Sequence, residues 1–242
     1  MGTPLDIYDE RTAIRFDAEI FLTIEPHLFD ANWLRDSQLW HGNAKGRGQA
    51  HFFKYLNRDM VLRHFHRGGL IGRMISDRFL RLGIARSRAF REFDLLHQMR
   101  SMGLAVPRPV AAQHKPAGLF YRAAIITERI PNARTLCAIL CERSLPSRTW
   151  TAIGAAIKEL HSHSVFHSDL NCRNIMIDAE HCVWIIDFDK CYVRKPGSWR
   201  QDNLDRLQRS LRKTASQVSN FYWHEDNWAS LLTEYSGDGS PK

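Results

Sequence analysis

Three polar side chains placed around one apolar segment constrain this chain more than any other feature. Asp169 precedes Asn174 by five residues and Asp187 by eighteen, and the apolar residues 183–186 lead directly into Asp187. The apolar run predicts a strand that delivers the chain to the second carboxylate. A carboxylate that accepts or orients a hydroxyl proton, with an amide and a second carboxylate that hold Mg²⁺, is the set that phosphoryl transfer needs. We therefore predict Asp169 to be catalytic and Asn174 and Asp187 to bind Mg²⁺.

The composition is that of a folded protein without a membrane-spanning helix. A chain of 242 residues with 44% hydrophobic residues is long enough for one large domain, or for two lobes that share a cleft. No apolar run approaches the roughly 18 residues of a spanning helix, and residues 1–6 lack the pattern of a signal peptide. Five cysteines without zinc-ribbon spacing predict free thiols in a reducing compartment. We expect a cytosolic protein, or one peripheral to the cytosolic side of a membrane.

Positive charge is concentrated in two segments that flank these polar residues. The net charge is +8. Residues 58–91 hold nine arginines against two acids, and residues 190–213 hold eight Lys or Arg against two acids. Such clusters attract nucleic acid, nucleotides or an anionic membrane surface. Because both clusters flank the predicted phosphotransfer site, we expect an anionic acceptor.

The first half of the chain has the pattern of strands around a glycine-rich loop. Residues 37–40, 51–56 and 60–65 predict strands, and residues 57–59 predict a tight turn between the last two. Loop 42–50 contains three glycines, whose backbone N–H groups can approach phosphate because no side chain blocks the contact. We predict Gly46 and Gly48 to contact a nucleotide, although the glycine spacing departs from G-x-G-x-x-G.

Helical periodicity and apolar runs mark the remaining elements. Residues 88–102 predict a helix with an apolar face that includes Phe90, Phe93 and Met99. A buried strand is predicted for residues 123–127. Further helices are predicted for residues 136–140, 149–163 and 203–214, and the last of these is basic and amphipathic.

The loops that contain Asp169 and Asp187 resemble the catalytic and metal-binding loops of the protein-kinase-like fold, with Ser168 where protein kinases usually carry Arg. This resemblance implies an α+β, bilobal fold. A small N-terminal antiparallel sheet with one helix would cover the nucleotide and occupy residues 1–130. A larger, mainly helical C-terminal lobe with the catalytic and metal-binding loops would occupy residues 131–242.

The resemblance also implies further nucleotide contacts. Kinase-like folds bind adenine through backbone groups where the chain passes between the lobes, which indicates Glu128 and Ile130. They also pair a Glu on the small-lobe helix with a Lys on the third strand. Glu92 lies on the predicted helix, but Arg63 stands on that strand and Lys54 lies on the preceding one. We favour Arg63 with Glu92 as catalytic partners and Arg63 as a nucleotide ligand, because Arg pairs bidentately with carboxylates and reaches phosphate; Lys54 is the alternative.

A narrower resemblance is to kinases of 3-deoxy-D-manno-octulosonic acid (Kdo). It rests on VLRHFHRGGLIG at residues 61–72, AFREF at 89–93, VPRPV at 106–110, FHSDLN at 166–171 and NLxRLxRSL at 203–211. The resemblance implies ATP-dependent phosphorylation of the 4-hydroxyl of Kdo on Kdo–lipid A, with ATP and Mg²⁺. It places the enzyme peripherally on the cytoplasmic face of a Gram-negative inner membrane. Lipid A phosphates would contact one of two basic sets: Arg67, Arg73, Arg78 and Arg81, or Lys195, Arg200 and Arg212.

Several alternatives remain at this point. A heptose kinase of lipopolysaccharide, or a small-molecule kinase of the antibiotic-resistance type, would use the same three residues. A protein kinase is disfavoured because no Ala-Pro-Glu segment follows Asp187. A protein that only binds nucleotide has no need for Asp169. A nucleic-acid-binding basic domain is motivated by charge alone, so we expect no nucleic-acid partner and infer no obligate protein partner. The role of Asp189 is open.

Overall fold

The computed structural model describes residues 1–9, 12–43, 50–65, 79–80 and 83–237. The chain divides into two compact units. The first unit consists of Met1–Met102 and Pro107–Arg129, and the second of Gly103–Val106 and Ile130–Lys242. The predicted glycine contacts, Gly46 and Gly48, and the basic set Arg67, Arg73, Arg78 and Arg81 lie outside the described residues.

An antiparallel sheet of eight strands forms the first unit, and it confirms the predicted sheet. Seven strands follow the order β1-β2-β7-β8-β5-β4-β3, and β6 pairs with β8. The strands are β1 Pro4–Asp9, β2 Thr12–Asp17, β3 Trp40–Asn43, β4 Ala50–Tyr55, β5 Arg58–His64, β6 Phe79–Leu80, β7 Pro109–Ala117 and β8 Phe120–Glu128. The β1–β2 hairpin at the edge of this sheet was not predicted.

The turn between β4 and β5 differs from its prediction. Its two residues are Leu56 and Asn57, with φ of 50° and 59°. Left-handed backbone at both positions matches the twist of the two strands and is typical of a type I′ hairpin. Arg58 and Asp59 were predicted as part of the turn, but they already pair with Tyr55 and Lys54 in the ladder. The predicted turn at residues 57–59 is therefore placed too late.

Helix α2 (Arg88–Ser101) packs on β7 and β8, as its apolar periodicity predicted. Phe90, Phe93, Leu96 and Met99 are all at most 1% exposed. Neighbouring side chains on a strand point to opposite faces. On β5, Leu62 belongs to a core cluster with Phe16 and Phe53, whereas Arg63 reaches α2. The core of the first unit therefore lies on both faces of its sheet.

A second helix in the first unit was missed. Helix α1 (Ala31–Asp36) begins at Asp30, whose carboxylate accepts from the N–H groups of Asn32 and Trp33. The predicted strand at residues 37–40 is wrong in position, because Ser37 ends α1 and the strand starts at Trp40. The expectation of one helix in this part of the chain is corrected to two among the described residues.

The second unit is mainly helical. Its helices are α3 Leu136–Leu140, α4 Ser147–Ser162, α5 Trp199–Gln217 and α6 Glu225–Ser236. Its short strands are β9 Arg134–Thr135, β10 Val165–Phe166, β11 Ile175–Ile177, β12 Val183–Ile185 and β13 Tyr192–Val193. These form the sheets β12-β11-β9 and β10-β13. Helices α3, α4 and α5 confirm predictions, and α6 was not predicted.

Helix α4 is the central support of this unit. Trp150, Ile153, Ile157 and Leu160 recur at helical spacing and are at most 1% exposed. On its other side α4 packs against α6, so closely that a methyl group on Gly154 would overlap the carbonyl oxygen of Leu231. Because α4 is held from both sides, it fixes the start of the β10 strand and the loop that follows. Within the described residues, no helix has the length and apolar character needed to cross a membrane.

Candidate active site

Two loops of the second unit bring the predicted catalytic and metal-binding residues together. The first loop, residues 167–174, runs from β10 to β11, and the second, residues 186–191, runs from β12 to β13. Strands β11 and β12 pair antiparallel, with Ile175 opposite Ile185. The N–H of Ile186 then donates to the carbonyl of Asn174 at 2.9 Å. The hairpin therefore places Asn174 at the same end as Asp187.

Asn174 is tied to Asp169 as well. Its Nδ2 donates to the backbone carbonyl of Asp169 at 2.9 Å, and Asn171 donates to the same carbonyl at 2.9 Å. Because Nδ2 is committed to this bond, Oδ1 is the amide atom left for a hard cation. Asn174 is 9% exposed, whereas the carboxylates of Asp169 and Asp187 are exposed. All three predicted groups thus meet in one site of the second unit.

The buried side chain of His167 connects the two loops through hydrogen bonds. Its Nδ1 accepts from the N–H of Asp169 at 3.2 Å, so Nε2 carries the proton and donates to the carbonyl of Ile186 at 3.0 Å. Burial lowers the pKa of His167 more than the bond to Ile186 raises it. The ring also packs edge-on against Phe188, with centroids 4.9 Å apart. A neutral, fully buried imidazole therefore fixes the spacing of the two loops.

Asn203 of α5 holds the backbone on either side of that ring. Its Nδ2 donates to the carbonyl of His167 at 2.8 Å, and its Oδ1 accepts from the N–H of His167 at 3.2 Å and from His161 at 3.3 Å. Ser210, two turns further along α5, accepts from the N–H of Cys172 at 3.0 Å. One face of α5 therefore supports both halves of the catalytic loop.

The second loop has unusual backbone geometry at its functional residue. Asp187 has φ of 65°, in the left-handed region that few residues other than Gly, Asn and Asp adopt. Ser168, which stands where protein kinases usually carry Arg, donates through Oγ to the carbonyl of Asp189 at 2.7 Å. Its N–H also meets the Sγ of Cys191 at 3.2 Å. A hydroxyl and a thiol thus bind the two loops to each other at this point.

One cation reaches the predicted catalytic carboxylate. Nη1 of Arg206, on the supporting face of α5, lies 3.5 Å from Oδ1 of Asp169. The two side chains are 48% and 60% exposed. This distance is longer than the roughly 2.7–2.9 Å of a strong charge-assisted hydrogen bond.

In the first unit, the structure brings Arg63 and Glu92 together. Nη2 of Arg63 lies 2.5 Å from both carboxylate oxygens of Glu92. Glu92 is 4% exposed, and the guanidinium of Arg63 also lies over the ring of Phe65, 4.7 Å from its centroid. Lys54, the alternative partner, is exposed on β4. The pairing favoured from sequence is therefore the one observed, and its catalytic role stays a prediction.

The residues predicted to bind adenine lie at the end of β8 and two residues beyond it. Glu128 ends β8, where its carboxylate pairs with Arg58 at 2.5 Å and its N–H donates to the carbonyl of Arg108 at 2.9 Å. Ile130 is 9% exposed. Because the N–H of Glu128 is already bonded, a contact from this residue to a base would have to use its carbonyl.

The second set of predicted phosphate ligands is partly engaged elsewhere. Arg212 donates to Glu225 at 2.8 Å, and Arg200 donates to the carbonyl of His161 at 2.8 Å. Lys195 is exposed. These contacts give Arg200 and Arg212 structural partners within the second unit, so their assignment to lipid A loses support.

Comparison with known proteins decides the family. The model of the lipopolysaccharide kinase (Kdo/WaaP) family matches residues 31–235. The chain belongs to this family. A 3-deoxy-D-manno-octulosonic acid kinase of Vibrio vulnificus (strain YJ016) is 41% identical over 225 residues, 93% of this chain and 95% of the relative. The 3-deoxy-D-manno-octulosonic acid kinase of Vibrio parahaemolyticus is 40% identical over 226 residues, which are 93% of this chain and 94% of the relative. The 3-deoxy-D-manno-octulosonic acid kinase of Haemophilus influenzae (strain 86-028NP) is 39% identical over 216 residues, which are 86% of this chain and 89% of the relative.

Membership in the lipopolysaccharide kinase family confirms the predicted kinase and the resemblance to Kdo kinases. It decides against the nucleic-acid-binding domain that charge alone suggested. Sequence reasoning missed the roles of Asn203 and Arg206. Both lie in a segment that carried the family resemblance, but amphipathic periodicity assigns such a helix only an apolar face. The available signal was a polar residue, Asn203, four residues before Leu207 and so in line with the apolar face of the helix.

Proposed function

We propose that this chain transfers the terminal phosphate of ATP to the 4-hydroxyl of Kdo on Kdo–lipid A. The observation that carries the proposal is the hydrogen-bonded chain from Asp169 through Asn174 to Ile186, which holds the three predicted groups in one site. The relatives that match over more than nine-tenths of this chain are named for Kdo as the acceptor. A geometry for phosphoryl transfer and relatives that act on this sugar acid support the same reaction.

In this proposal Asp169 orients the 4-hydroxyl and accepts its proton. Its side chain is exposed, so an acceptor can reach it. Its backbone is fixed on both sides, by the N–H bond to His167 and by the two amides that donate to its carbonyl. Fixing the carboxylate in this way supplies positioning, which is most of what catalysis of phosphoryl transfer requires.

Asn174 and Asp187 would hold Mg²⁺. Both offer oxygen ligands, as this hard cation prefers, and the bond of Nδ2 of Asn174 to Asp169 leaves its oxygen as the ligand. The described residues contain no cluster of three or more His, Cys, Asp or Glu side chains for a metal. That composition fits an ion held by two protein groups together with phosphates. When bound, Mg²⁺ would offset negative charge on the phosphates.

The first unit supplies the proposed nucleotide contacts except Ile130, which begins the long segment of the second unit. Arg63, held by Glu92, would meet the phosphates of ATP, and Gly46 and Gly48 would contact them through backbone N–H groups. Glu128 and Ile130 would bind adenine through their backbones. A guanidinium held against a carboxylate that is 4% exposed is oriented before the nucleotide binds, which reduces the entropy lost on binding.

We place the enzyme peripherally on the cytoplasmic face of a Gram-negative inner membrane, where it would meet its lipid acceptor on an anionic surface. The basic residues of 190–213 support this placement. Each Lys or Arg near an anionic surface contributes about 1 kcal/mol of attraction. Arg206, Arg209 and Lys213 are exposed on α5.

The test is phosphate transfer from labelled ATP to purified Kdo–lipid A. Lipid A without Kdo and lipid A with a heptose-extended core serve as acceptor controls. We expect label on Kdo–lipid A, none on Kdo-free lipid, and phosphate at O4 by mass spectrometry and NMR. Label that appears only when heptose is present would replace the proposal by a heptose kinase, because acceptor choice reports differential binding of the transition state.

A further inference from the structure

We propose that Arg206 binds the carboxylate of the acceptor sugar and thereby selects a sugar acid. The inference rests on the proposed function and adds a residue to it. The proposed contacts to the phosphates of ATP lie in the first unit, whereas Arg206 lies in the second, 3.5 Å from the carboxylate that would receive the hydroxyl proton. The position of Arg206 on α5 determines which groups its guanidinium can contact.

Helix geometry directs Arg206 to the catalytic loop. Residues three and four apart share a helix face. Arg206 follows Asn203 by three residues and precedes Ser210 by four, and both of these bind the backbone of the catalytic loop. Arg206 is therefore held at this loop by its neighbours on either side, while its own side chain remains 48% exposed.

The existing contact of Arg206 leaves it available for a ligand. Its partner Asp169 is 3.5 Å away and 60% exposed. By contrast, Arg212 on the same helix binds Glu225 at 2.8 Å, and Arg200 binds a backbone carbonyl at 2.8 Å. An exposed ion pair of this kind adds little to stability. Arg206 can turn to an incoming carboxylate without loss of a structural bond.

Charge explains why a cation is needed there. Kdo carries its carboxylate and its 4-hydroxyl on the same sugar ring. An acceptor hydroxyl bonded to Asp169 therefore brings a second carboxylate close to the first, and like charges repel. A guanidinium beside both offsets this repulsion, and its planar fork matches a carboxylate with two hydrogen bonds. A neutral sugar would gain nothing from Arg206.

The experiment compares Kdo–lipid A with its carboxamide, which is neutral but nearly the same shape, in detergent micelles. We expect the wild-type enzyme to prefer the acid by roughly 10- to 100-fold in kcat/KM, the range for hydrogen bonds to charged groups. Arg206→Gln should lower kcat/KM on the acid and abolish the preference. Arg206→Lys, which keeps the charge without the fork, should restore part of it. Arg148→Gln removes an exposed Arg of α4 and should keep the full preference.

Equal discrimination by the wild type and Arg206→Gln would overturn the proposal. In that case equal losses on both acceptors would mean that Arg206 acts on the phosphate of ATP. A wild-type enzyme that phosphorylates both acceptors equally would overturn it as well, and this reading needs no variant. Failure of the proposed function looks different: the wild type would then transfer no phosphate to Kdo–lipid A at all.

A separate observation points to a membrane contact in the first unit. We infer that the tip of the β7–β8 hairpin docks on an anionic lipid surface. Leu119 is 80% exposed at this tip and follows Gly118, which has φ of 64°. Lys115 and Arg122 stand directly opposite each other behind it, and both are exposed. No acidic residue occurs between Asp94 and Glu128.

The hairpin is rigid enough to present this tip. Tyr121 stacks on His114 with centroids 4.4 Å apart and meets Phe79 at 5.4 Å, and β6 pairs along the hairpin end. An aliphatic tip with two cations behind it suits the headgroup boundary of a bilayer.

Co-sedimentation with vesicles tests the hairpin. The wild-type enzyme should bind vesicles that contain phosphatidylglycerol and bind pure phosphatidylcholine weakly. Leu119→Glu, and separately Lys115→Glu, should weaken binding to the anionic vesicles roughly tenfold, while transfer to a soluble Kdo acceptor is unchanged. Leu22→Glu is the matched control, because Leu22 is 98% exposed but lies between Glu19 and Glu25.

Unchanged vesicle binding in both hairpin variants would overturn the inference, as would equal loss in Leu22→Glu. Loss of oligonucleotide binding in place of vesicle binding would assign the hairpin to nucleic acid. If the wild type itself does not bind anionic vesicles, the proposed membrane placement fails together with the hairpin, whereas phosphate transfer to the soluble acceptor still tests the reaction.

Discussion

The buried side-chain amide of Asn203 forms hydrogen bonds with both the backbone N–H and the backbone carbonyl of His167. Nδ2 of Asn203 donates to the carbonyl of His167 at 2.8 Å, and Oδ1 accepts from its N–H at 3.2 Å. Asn203 is 1% exposed and His167 is fully buried. The position of the exposed Asp169 is therefore set in part by a buried residue of α5.

Replacement of Asn203 should separate positioning from chemistry. Asn203→Ala leaves buried backbone groups of His167 without partners, at about 1–3 kcal/mol. We expect a lower melting temperature, and a fall in kcat of roughly 10²-fold from misplacement of Asp169. The KM for ATP should change little. Thermal melts and steady-state kinetics on one preparation measure both effects. A variant that melts earlier but keeps its kcat would show that the pair serves only folding.

Asp169→Asn should lower kcat without lowering the melting temperature. The side chain is 60% exposed, so its loss should leave the melting temperature within about 1 °C of wild type. Without a proton acceptor, kcat should fall by about 10²–10⁴-fold. Nucleotide affinity, measured by calorimetry, should be retained. Near-normal turnover would remove Asp169 from the mechanism.

The metal assignment predicts a change in the magnesium requirement. Asp187→Asn keeps a residue type that tolerates the observed φ of 65°, so it changes the charge without a new backbone strain. Asn174→Ala removes the second oxygen ligand. Each variant should need more Mg²⁺ for half-maximal activity, at saturating ATP. The assignment is wrong if the magnesium titrations of both variants overlay that of wild type.

Arg63 and Glu92 should behave as one unit. The guanidinium lies 2.5 Å from both oxygens of a carboxylate that is 4% exposed. Either Arg63→Ala or Glu92→Ala leaves the other charge without this partner, so the double variant should lose little more kcat/KM for ATP than either single one. Lys54→Ala, on the exposed side of β4, is the control and should retain activity. Additive losses would mean two independent roles.

The sequence predicted what local pattern determines. Phe90, Phe93 and Met99 recur at helical spacing, and α2 buries them as expected. Asp169, Asn174 and Asp187 were predicted from their spacing, from the apolar run before Asp187 and from the resemblance to kinase loops, and a short hairpin brings Asn174 and Asp187 to one end. The bonds of Asn203 span 36 residues, and no periodicity encodes such a pairing. Helix α1 was missed because six residues make less than two helical turns, too few to show an apolar periodicity. Its N-cap, Asp30, is identified by the hydrogen bonds that its carboxylate accepts in the structure.

The buried histidine of α4 predicts how stability depends on pH. Burial lowers the pKa of His161 to about 4. The hydrogen bond with Asn203 raises the pKa in part, and the positive charge of Arg200 lowers it further. Nδ1 meets the hydroxyl of Tyr235 on α6 at 2.8 Å, and the ring packs edge-on to Trp199 of α5. The folded state thus holds His161 neutral where the unfolded chain would protonate it.

The stability of the fold should decrease as the pH falls, because the pKa of His161 in the folded state lies below its ordinary value of 6.5. Below pH 6.5 the unfolded state binds the proton first, so the stability due to neutral His161 is complete above pH 6.5 and is lost as pH falls toward 4. Between pH 7.5 and pH 5 the free energy of unfolding should fall by about 2 kcal/mol from this residue, or about 4–8 °C in melting temperature. Melts of wild type and His161→Gln across this range measure the difference. The variant should show a shallower slope, and His181→Gln, an exposed control, should keep the wild-type slope. If all three slopes coincide, His161 is not the group that titrates.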